Sequence, residues 1–314
     1  RCLADRPDLV LMDLLRPGLD GVETTRRIMS EAPCPILVVT ASIEGRFTQV
    51  YEAISAGALD AVETPTLDAG GSLRGSEALL RKVAMIGSLT RPGATRLAPF
   101  PAAPDRRGAA VTASRRPPIV AIGASTGGPS ALSTVLGALP ADTPASVIVV
   151  QHLDARFTAG LVASLGERTA LKVEAVDKPT PPRRGTVHVA AREAHLILDE
   201  NGVLGYVEDP VDVPHRPSID MLFASLAACP SAAGCGVLLT GMGRDGAAGL
   251  LALRRAGFLT LAQNEASSVV WGIPGAAVAL GAAGSVLPLD ELAPAIRSHL
   301  RTLRAASAAD REHL

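Results

Sequence analysis

The segment Pro118-Ile-Val-Ala-Ile-Gly-Ala-Ser-Thr-Gly-Gly-Pro129 contains the strongest fold signal in the larger part of this chain. Its apolar run, Ile119 to Ile122, predicts a buried strand, and the helical spacing of apolar residues after Pro129 predicts a helix. Between them, Gly123-Ala-Ser-Thr-Gly127 fits G-x-S-x-G, the pattern of a sharp strand-to-helix turn that carries a nucleophile. We therefore predict a strand, a tight turn and a helix, with the Ser125 hydroxyl exposed at the turn.

Two other interpretations of this turn stay open on its residues alone. Ser125 is also a suitable helix-capping residue for a glycine-rich turn, and such turns also cradle the phosphates of dinucleotides. A dinucleotide site requires an acidic residue at the end of the next strand to hold a ribose. That strand, Ala145 to Val150, is followed instead by Gln151-His152. The residues therefore favour a nucleophile, with His152 as a possible general base.

Strand and helix patterns alternate from Pro118 to about Leu303. Because strands that alternate with helices pair in parallel, this order predicts a three-layer α/β domain with a mostly parallel sheet. The turn signal Asn201-Gly202 lies between two apolar runs and predicts one antiparallel hairpin. The predicted strands cover 118–123, 145–151, 172–176, 187–190, 195–199, 203–208, 235–240 and 257–263, and the predicted helices cover 128–138, 157–168, 218–228, 245–256, 274–280 and 290–303.

Three polar side chains follow predicted strands of this domain: Ser125, His152 and Asp245. A parallel sheet brings the carboxyl ends of its strands to one edge, and these three side chains form a nucleophile, a base and an orienting acid. Each has a structural alternative. His152 is also compatible with a structural histidine at a strand end, and Asp245 with a cap of the helix at 246–256. His215 is a second candidate for the base.

The composition of the chain limits the kinds of partner and environment that fit it. The formal net charge of −1 and the aromatic content of 3% argue against nucleic acid, which requires basic surfaces and stacking side chains. The four cysteines are scattered, which indicates a reduced, cytoplasmic setting. Two uncharged stretches, 221–243 and 266–289, are long enough to raise the question of membrane spans. Prolines and glycines interrupt both, so we predict buried elements and a protein that is not membrane-embedded.

The first 68 residues predict a second, smaller α/β domain. Asp8 to Asp13 form a strand pattern that ends in a carboxylate, and Cys34 to Thr40 form another that ends in a hydroxyl. The chain opens on Arg1 in the middle of a pattern, so we expect an N-terminally incomplete domain. Residues 69–117 are rich in Pro, Ala, Gly and Arg and predict a linker, with one helix near 77–86. Residues 304–314 are expected to be a tail after the domain 118–303.

Several residues of the first domain resemble the second half of a response-regulator receiver domain: Asp13, Arg16-Pro-Gly-Leu-Asp-Gly21, Thr40-Ala41, Gly57-Ala-Leu-Asp60 and Pro65. The resemblance implies a parallel α/β fold, phosphorylation of Asp13, Thr40 as the switch hydroxyl and a bound Mg²⁺. Two features depart from that family. Thr64 stands in place of its lysine, and its magnesium-binding acidic pair is absent from this chain. We therefore expect a phosphoryl donor to change the activity little, since the metal and the phosphoryl group lose partners.

The second domain resembles the catalytic domain of the CheB family of chemotaxis protein-glutamate methylesterases. The motifs that carry this resemblance are Ala121-Ile-Gly-Ala-Ser-Thr-Gly-Gly128, Val149-Val-Gln-His152, His215-Arg-Pro-Ser218, Leu239-Thr-Gly-Met-Gly-Arg-Asp-Gly-Ala-Ala-Gly249 and Ala262-Gln-Asn-Glu-Ala-Ser-Ser-Val-Val-Trp-Gly-Ile-Pro274. The family implies hydrolysis of glutamate methyl esters, and deamidation of glutamines, on the cytoplasmic helices of chemoreceptors. It also implies a chemotaxis histidine kinase as the phosphoryl donor of the receiver.

Carried onto this chain, the resemblance makes Ser125 the nucleophile, His152 the general base and acid, and Asp245 the orienting carboxylate. It suggests the backbone N–H of Met242 as an oxyanion donor, with Thr126 and Gln151 as neighbours that position the site. The esterase reaction requires no cofactor or metal. Two alternatives belong to other classes: an adaptor that signals without phosphorylation, and a general hydrolase of small esters.

Overall fold

The computed structural model describes residues 2, 5–14, 20–41, 47–68, 70–71, 73–89, 116–211, 213 and 215–312. The chain divides into two compact units, Arg1–Pro99 and Phe100–Leu314. Each unit is built on its own parallel sheet. Residues 16–19 of the motif Arg16-Pro-Gly-Leu-Asp-Gly21, and most of the predicted linker, residues 90–115, lie outside the described residues.

The smaller unit contains a three-stranded parallel sheet in the order β1-β2-β3. Strand β2 is central, and its apolar run is almost entirely buried. Asp13 and Thr40 stand at the carboxyl ends of β1 and β2, as the strand patterns predict. The elements of this sheet and its connections are β1 Val10–Asp13, α1 Gly21–Glu31, β2 Ile36–Thr40, α2 Phe47–Ser55 and β3 Asp60–Glu63.

The predicted linker 69–117 begins within this unit and not after it. An antiparallel ribbon pairs β4 (Thr66–Leu67) with β5 (Leu73–Arg74), and helix α3 (Ser76–Leu89) follows. The helix buries Ile86 in a small apolar cluster with residues of β2 and β3. Burial of this face carries the helix through Gly87, where the sequence predicts its end, because packing outweighs the roughly 1 kcal/mol helix penalty of one glycine.

The larger unit contains a seven-stranded sheet in the order β14-β13-β12-β6-β7-β9-β8, and every pairing in it is parallel. A separate antiparallel hairpin, β10 with β11, forms at the predicted turn. The three-layer, mainly parallel fold is therefore confirmed. The strands are β6 Ile119–Ala124, β7 Ser146–Gln151, β8 Lys172–Val176, β9 Thr186–Ala190, β10 His195–Leu198, β11 Leu204–Val207, β12 Gly234–Leu238, β13 Leu259–Gln263 and β14 Ser285–Leu287.

Six α-helices of this unit are described, together with the 3-10 turn Ala155–Phe157. The last helix continues beyond residue 303 through most of the predicted tail, and the short edge strand β14 has no counterpart in the predicted elements. Within the described residues no helix is both long and apolar enough to cross a membrane. The helices are α4 Gly128–Gly137, α5 Thr158–Arg168, α6 Ile219–Ala228, α7 Ala247–Arg255, α8 Ile273–Ala279 and α9 Leu289–Glu312.

The strand order reverses around β6, which pairs with β7 on one side and with β12 on the other. Ala124, the last residue of β6, lies opposite Gln151 in the register with β7. The next residues along these two strands are Ser125 and His152. Parallel α/β sheets place their sites at such a reversal, beyond the carboxyl ends of the strands. The topology therefore defines where the polar residues meet.

Candidate active site

Ser125 lies on the turn that joins β6 to α4. Its backbone N–H donates to the carbonyl of Thr240, at 3.1 Å, in the segment after β12. Gly127 has φ +77° and precedes the first residue of α4. Because side chains with a Cβ rarely adopt this left-handed conformation, glycine is required for the chain to turn here. The sharp turn leaves Ser125 only partly buried.

His152 follows β7 directly, and its backbone N–H donates to the carbonyl of Ala124 at 2.9 Å. Its ring Nε2 lies 2.7 Å from Oδ2 of Asp245, and both side chains are largely buried, at 7% and 12% exposed. The other ring nitrogen, Nδ1, is buried and has no hydrogen-bond partner among the described residues. One nitrogen of the ring is therefore held by a carboxylate, and the other remains available to take up a proton.

Asp245 accepts four hydrogen bonds. Besides His152, its carboxylate accepts from the Ser218 hydroxyl at 2.8 Å and from the backbone N–H groups of Ile219 at 2.7 Å and Asp220 at 3.0 Å. These donors belong to the first turn of α6, so the carboxylate lies at the positive end of that helix. The alternative role for Asp245 was to cap helix α7. That helix begins after Gly246 and has no side-chain cap.

The charge of Asp245 determines the tautomer of His152. Burial by itself raises the pKa of Asp245, but the hydrogen bonds from His152 and from the α6 backbone outweigh it and lower that pKa to about 2. At neutral pH the carboxylate is ionised and can only accept. The Nε2 atom of His152 therefore carries the proton and donates it to Asp245, which leaves Nδ1 with a lone pair.

His215, the second candidate for the base, stacks on His152. The two ring centroids are 4.0 Å apart and the planes are inclined by 14°. Burial, together with the neighbouring His152, lowers the pKa of His215 to about 4. His215 is therefore neutral at physiological pH, and the structure places its ring against the face of His152, which restrains the orientation of that side chain.

The loop after β12 passes beside the serine. A Cβ atom added at Gly241 would lie 2.7 Å from the Ser125 Cβ, so this close approach requires glycine. The next residue, Met242, is buried, and its backbone N–H has no acceptor among the described residues. The loop is held by the Gly241 N–H, which donates to Val270 at 3.0 Å, and by the Gln263 side chain, which accepts from the Thr240 N–H at 2.7 Å.

Thr126 lies on the turn, and the Gln151 side chain contacts it from β7. The carbonyl of Thr126 accepts from the Thr240 hydroxyl at 3.0 Å. The Gln151 side chain is buried, and its Nε2 donates to the carbonyl of Ser125 at 2.7 Å. These bonds join the turn to both neighbouring strands, so the backbone of the serine is held from two sides.

Ser218 and Asp220 were not among the site residues predicted from the sequence. Ser218 caps α6, since its hydroxyl accepts from the Met221 N–H at 3.3 Å, while the same hydroxyl donates to Asp245. The motif His215-Arg-Pro-Ser218 followed by an apolar helix pattern is a capping signal. It predicts where the helix begins, but it contains no information about which distant acid the cap binds.

The residues that resemble a receiver site lie in the smaller unit. Asp13 is exposed, Thr40 is fully buried, and the Thr40 Oγ1 has no hydrogen-bond partner among the described residues. Thr64 is exposed and its backbone N–H donates to the carbonyl of Thr40 at 2.8 Å. The part of the chain that the structure describes contains no group of three or more His, Cys, Asp or Glu placed to hold a metal. Mg²⁺ binds through several oxygen ligands, and the described residues around Asp13 and Thr40 do not supply such a set.

A serine on a glycine turn, beside a buried histidine–carboxylate pair at the edge of a parallel sheet, is the arrangement of a serine hydrolase. Comparisons with known proteins identify which one. Residues 120–296 match the CheB methylesterase family. The chain belongs to this family.

Named relatives cover nearly the whole chain. A protein of Burkholderia lata named protein-glutamate methylesterase/protein-glutamine glutaminase 2 is 50% identical over 305 residues, which cover 96% of this chain and 88% of the relative. A protein-glutamate methylesterase/protein-glutamine glutaminase 1 of Pseudomonas fluorescens is 45% identical over 293 residues, 93% of this chain and 85% of the relative. The crystal structure of the Thermotoga maritima CheB methylesterase catalytic domain is 31% identical, with a TM-score of 0.54, and covers 58% of this chain and 98% of that domain.

Proposed function

We propose that this chain hydrolyses glutamate methyl esters, and deamidates glutamines, on the cytoplasmic helices of chemoreceptors. Ser125 is the nucleophile, His152 the general base and acid, and Asp245 the orienting carboxylate. The observation that carries this assignment is the buried 2.7 Å bond from His152 to Asp245, one strand away from Ser125. The names of relatives up to 50% identical support the substrate.

The steps of the reaction follow from the protonation states of His152 and Asp245. The Ser125 hydroxyl attacks the ester carbonyl carbon while His152 Nδ1 takes its proton, and the imidazolium that forms is paired with ionised Asp245. Collapse of the tetrahedral intermediate breaks the bond to the methoxy group, which leaves as methanol with the proton from His152. Water, deprotonated by His152, then attacks the acyl-enzyme, and Ser125 leaves with that proton. With a glutamine substrate, ammonia leaves in place of methanol.

The oxyanion of each intermediate is stabilised by the Met242 backbone N–H. This donor has no acceptor among the described residues, and its loop touches the serine. A preorganised N–H of this kind contributes about 3–4 kcal/mol to lowering the barrier. Thr126 and Gln151 contribute indirectly, because their hydrogen bonds hold the turn to the neighbouring strands.

The surface around the turn suits a substrate that carries a methyl group. Val269 is 46% exposed, and a Cβ atom added at Gly127 would lie 2.7 Å from its side chain. An exposed apolar side chain beside the nucleophile offers a contact to the ester methyl group or to the apolar edge of a receptor helix. The four cysteines are free thiols, which suits the reduced cytoplasm where those receptor helices lie.

For the smaller unit we propose the receiver-type role that the family resemblance implies, with Asp13 as the phosphoryl acceptor and Thr40 as the switch hydroxyl. Because Thr64 stands in place of the family's lysine, the phosphoryl group lacks that charged partner, and we expect phosphoryl transfer from a histidine kinase to contribute little to the activity. The esterase reaction itself runs on side chains and backbone groups of the larger unit.

The experiment is methanol release from a methylated receptor signalling domain. Ser125→Ala should lower the rate to that of an enzyme-free control with the fold retained, because only the nucleophilic oxygen is removed. Ser130→Ala is the matched control, since Ser130 is an exposed serine in the helix that follows the turn and its loss should leave the rate unchanged. Turnover that survives in Ser125→Ala would contradict the assignment. No turnover in the folded wild-type protein would favour an adaptor, and turnover of small esters alone would favour a general hydrolase.

A further inference from the structure

A second acid, Asp220, lies buried beside Asp245 and has no part in the mechanism above. It is the second residue of α6 and is only 7% exposed. Its Oδ1 accepts from the Gly249 N–H at 2.6 Å, while its own backbone N–H donates to Asp245 Oδ1 at 3.0 Å. The side chain is therefore held between the start of α6 and the start of α7.

Asp220 and Asp245 are close neighbours in this buried site, since the Asp220 backbone N–H donates to Asp245 Oδ1 and the Asp220 side chain is itself buried. Two adjoining carboxylates in a buried site do not both ionise readily, so one of them holds a proton. Asp245 accepts from His152 and from three further donors, which stabilise its ionised form. The proton therefore resides on Asp220.

Burial, and then the charge of Asp245, raise the pKa of Asp220 to about 7, against the lowering effect of the N–H groups of Gly249 and Gly246. The other ionisable groups that face this region are histidines. His152 binds Asp245, His215 stacks on His152, and His195 accepts the Ser218 N–H at 3.2 Å.

The elements packed against Asp220 add no further charge nearby. Helix α6 contains no other ionisable side chain, and strands β6 and β7 contain none. The charged residues of α7, Arg254 and Arg255, are at its opposite end. Asp245 is therefore the charged group that acts on Asp220 most strongly, and Arg244, the residue before Asp245, is the cation nearest to that acid along the chain.

We propose that Asp220 is a positioning residue of this active site: in its protonated form it donates a hydrogen bond to Asp245 and holds that carboxylate against His152. When Asp220 loses its proton, the bond is lost and two negative charges face each other. The Asp245 carboxylate is then displaced from His152, and turnover falls as the pH rises. This inference rests on the proposed role of Asp245 in the hydrolysis.

The test is Asp220→Asn. The amide oxygen of this variant still accepts from Gly249, its NH₂ group still donates to Asp245, and it does not titrate. The protonated fraction of Asp220 falls about 50-fold between about pH 7 and about pH 9 for a pKa of about 7. Across this range kcat of the wild type, corrected for spontaneous ester hydrolysis, should fall about tenfold or more. The corrected kcat of Asp220→Asn should change less than about threefold over the same pH range.

Two further measurements separate positioning from folding. Thermal unfolding of Asp220→Asn should show a folded protein over the same pH range, and KM should change little, since Asp220 does not touch substrate. Asp220→Ala, which lacks the donor, should have a low kcat at every pH. A pH profile of Asp220→Asn parallel to that of the wild type, or equal kcat values for the Asn and Ala variants, would overturn the inference. If release still depends on Ser125 in that case, the proposed function stands and only the role of Asp220 fails.

Discussion

The substitution Asp245→Asn tests the hydrogen-bond network more directly than removal of the nucleophile does. The carboxylate accepts from four donors on two sides: His152 and the Ile219 N–H at Oδ2, and Ser218 and the Asp220 N–H at Oδ1. An amide of the same shape has only one acceptor atom. Whichever way it is oriented, its NH₂ group faces a backbone N–H of α6, so at least one buried donor loses its partner.

The expected losses of folding free energy and of kcat follow from these contacts. Leaving one buried N–H without an acceptor costs about 1–3 kcal/mol of folding free energy. If the NH₂ group faces His152, it donates to Nε2 and forces the proton onto Nδ1, the atom that must accept from Ser125. In serine-protease triads the equivalent change lowers kcat about 10⁴-fold, which corresponds to about 5.4 kcal/mol at 1.36 kcal/mol for each factor of ten.

The assay is methanol release at saturating methylated receptor domain, together with thermal unfolding of the same preparation. We expect a fall in kcat of about 10³- to 10⁴-fold in a protein that remains folded below its lowered unfolding temperature. Asp142→Asn is the matched control, because Asp142 is an exposed acid of the same domain. An unchanged kcat in Asp245→Asn would show that this carboxylate only holds α6 in place and that His152 needs no orienting acid.

Two other predictions concern His215, which stacks on the ring of His152, and the smaller unit. His215→Phe should retain kcat within about threefold, whereas His215→Ala should lose about tenfold, because the ring packs against His152 and does not transfer a proton; a Phe variant as inactive as Ser125→Ala would make His215 the base. A small phosphoryl donor should leave methanol release within about twofold, since the phosphoryl group lacks its lysine partner. Clear activation that Asp13→Asn abolishes would contradict this view of the receiver-type unit.

Local sequence was sufficient for most of the fold of the larger unit. Continuous apolar runs indicated the strands, helical spacing of apolar residues indicated the helices, and glycine spacing indicated the turn at Ser125. It also predicted that Ser125, His152 and Asp245 follow strands, and hence meet at one edge. Two helix boundaries were misplaced. Packing of Ile86 carries α3 through Gly87, whereas α9 continues beyond residue 303 along a largely exposed segment.

Local sequence patterns therefore predicted the chemistry available at the sheet edge: a serine on a glycine turn, a histidine after the adjacent strand and an acid after a third. How these groups are held depends on long-range packing. Asp245 binds the first turn of α6, whose residues Ile219 and Asp220 lie 26 and 25 positions away in the chain. The stacking of His215 and the proton on Asp220 likewise depend on the sheet order that brings β12, β6 and β7 together. Hydrophobic periodicity reports which side of an element is buried, but the partner of a buried polar group is determined by long-range packing.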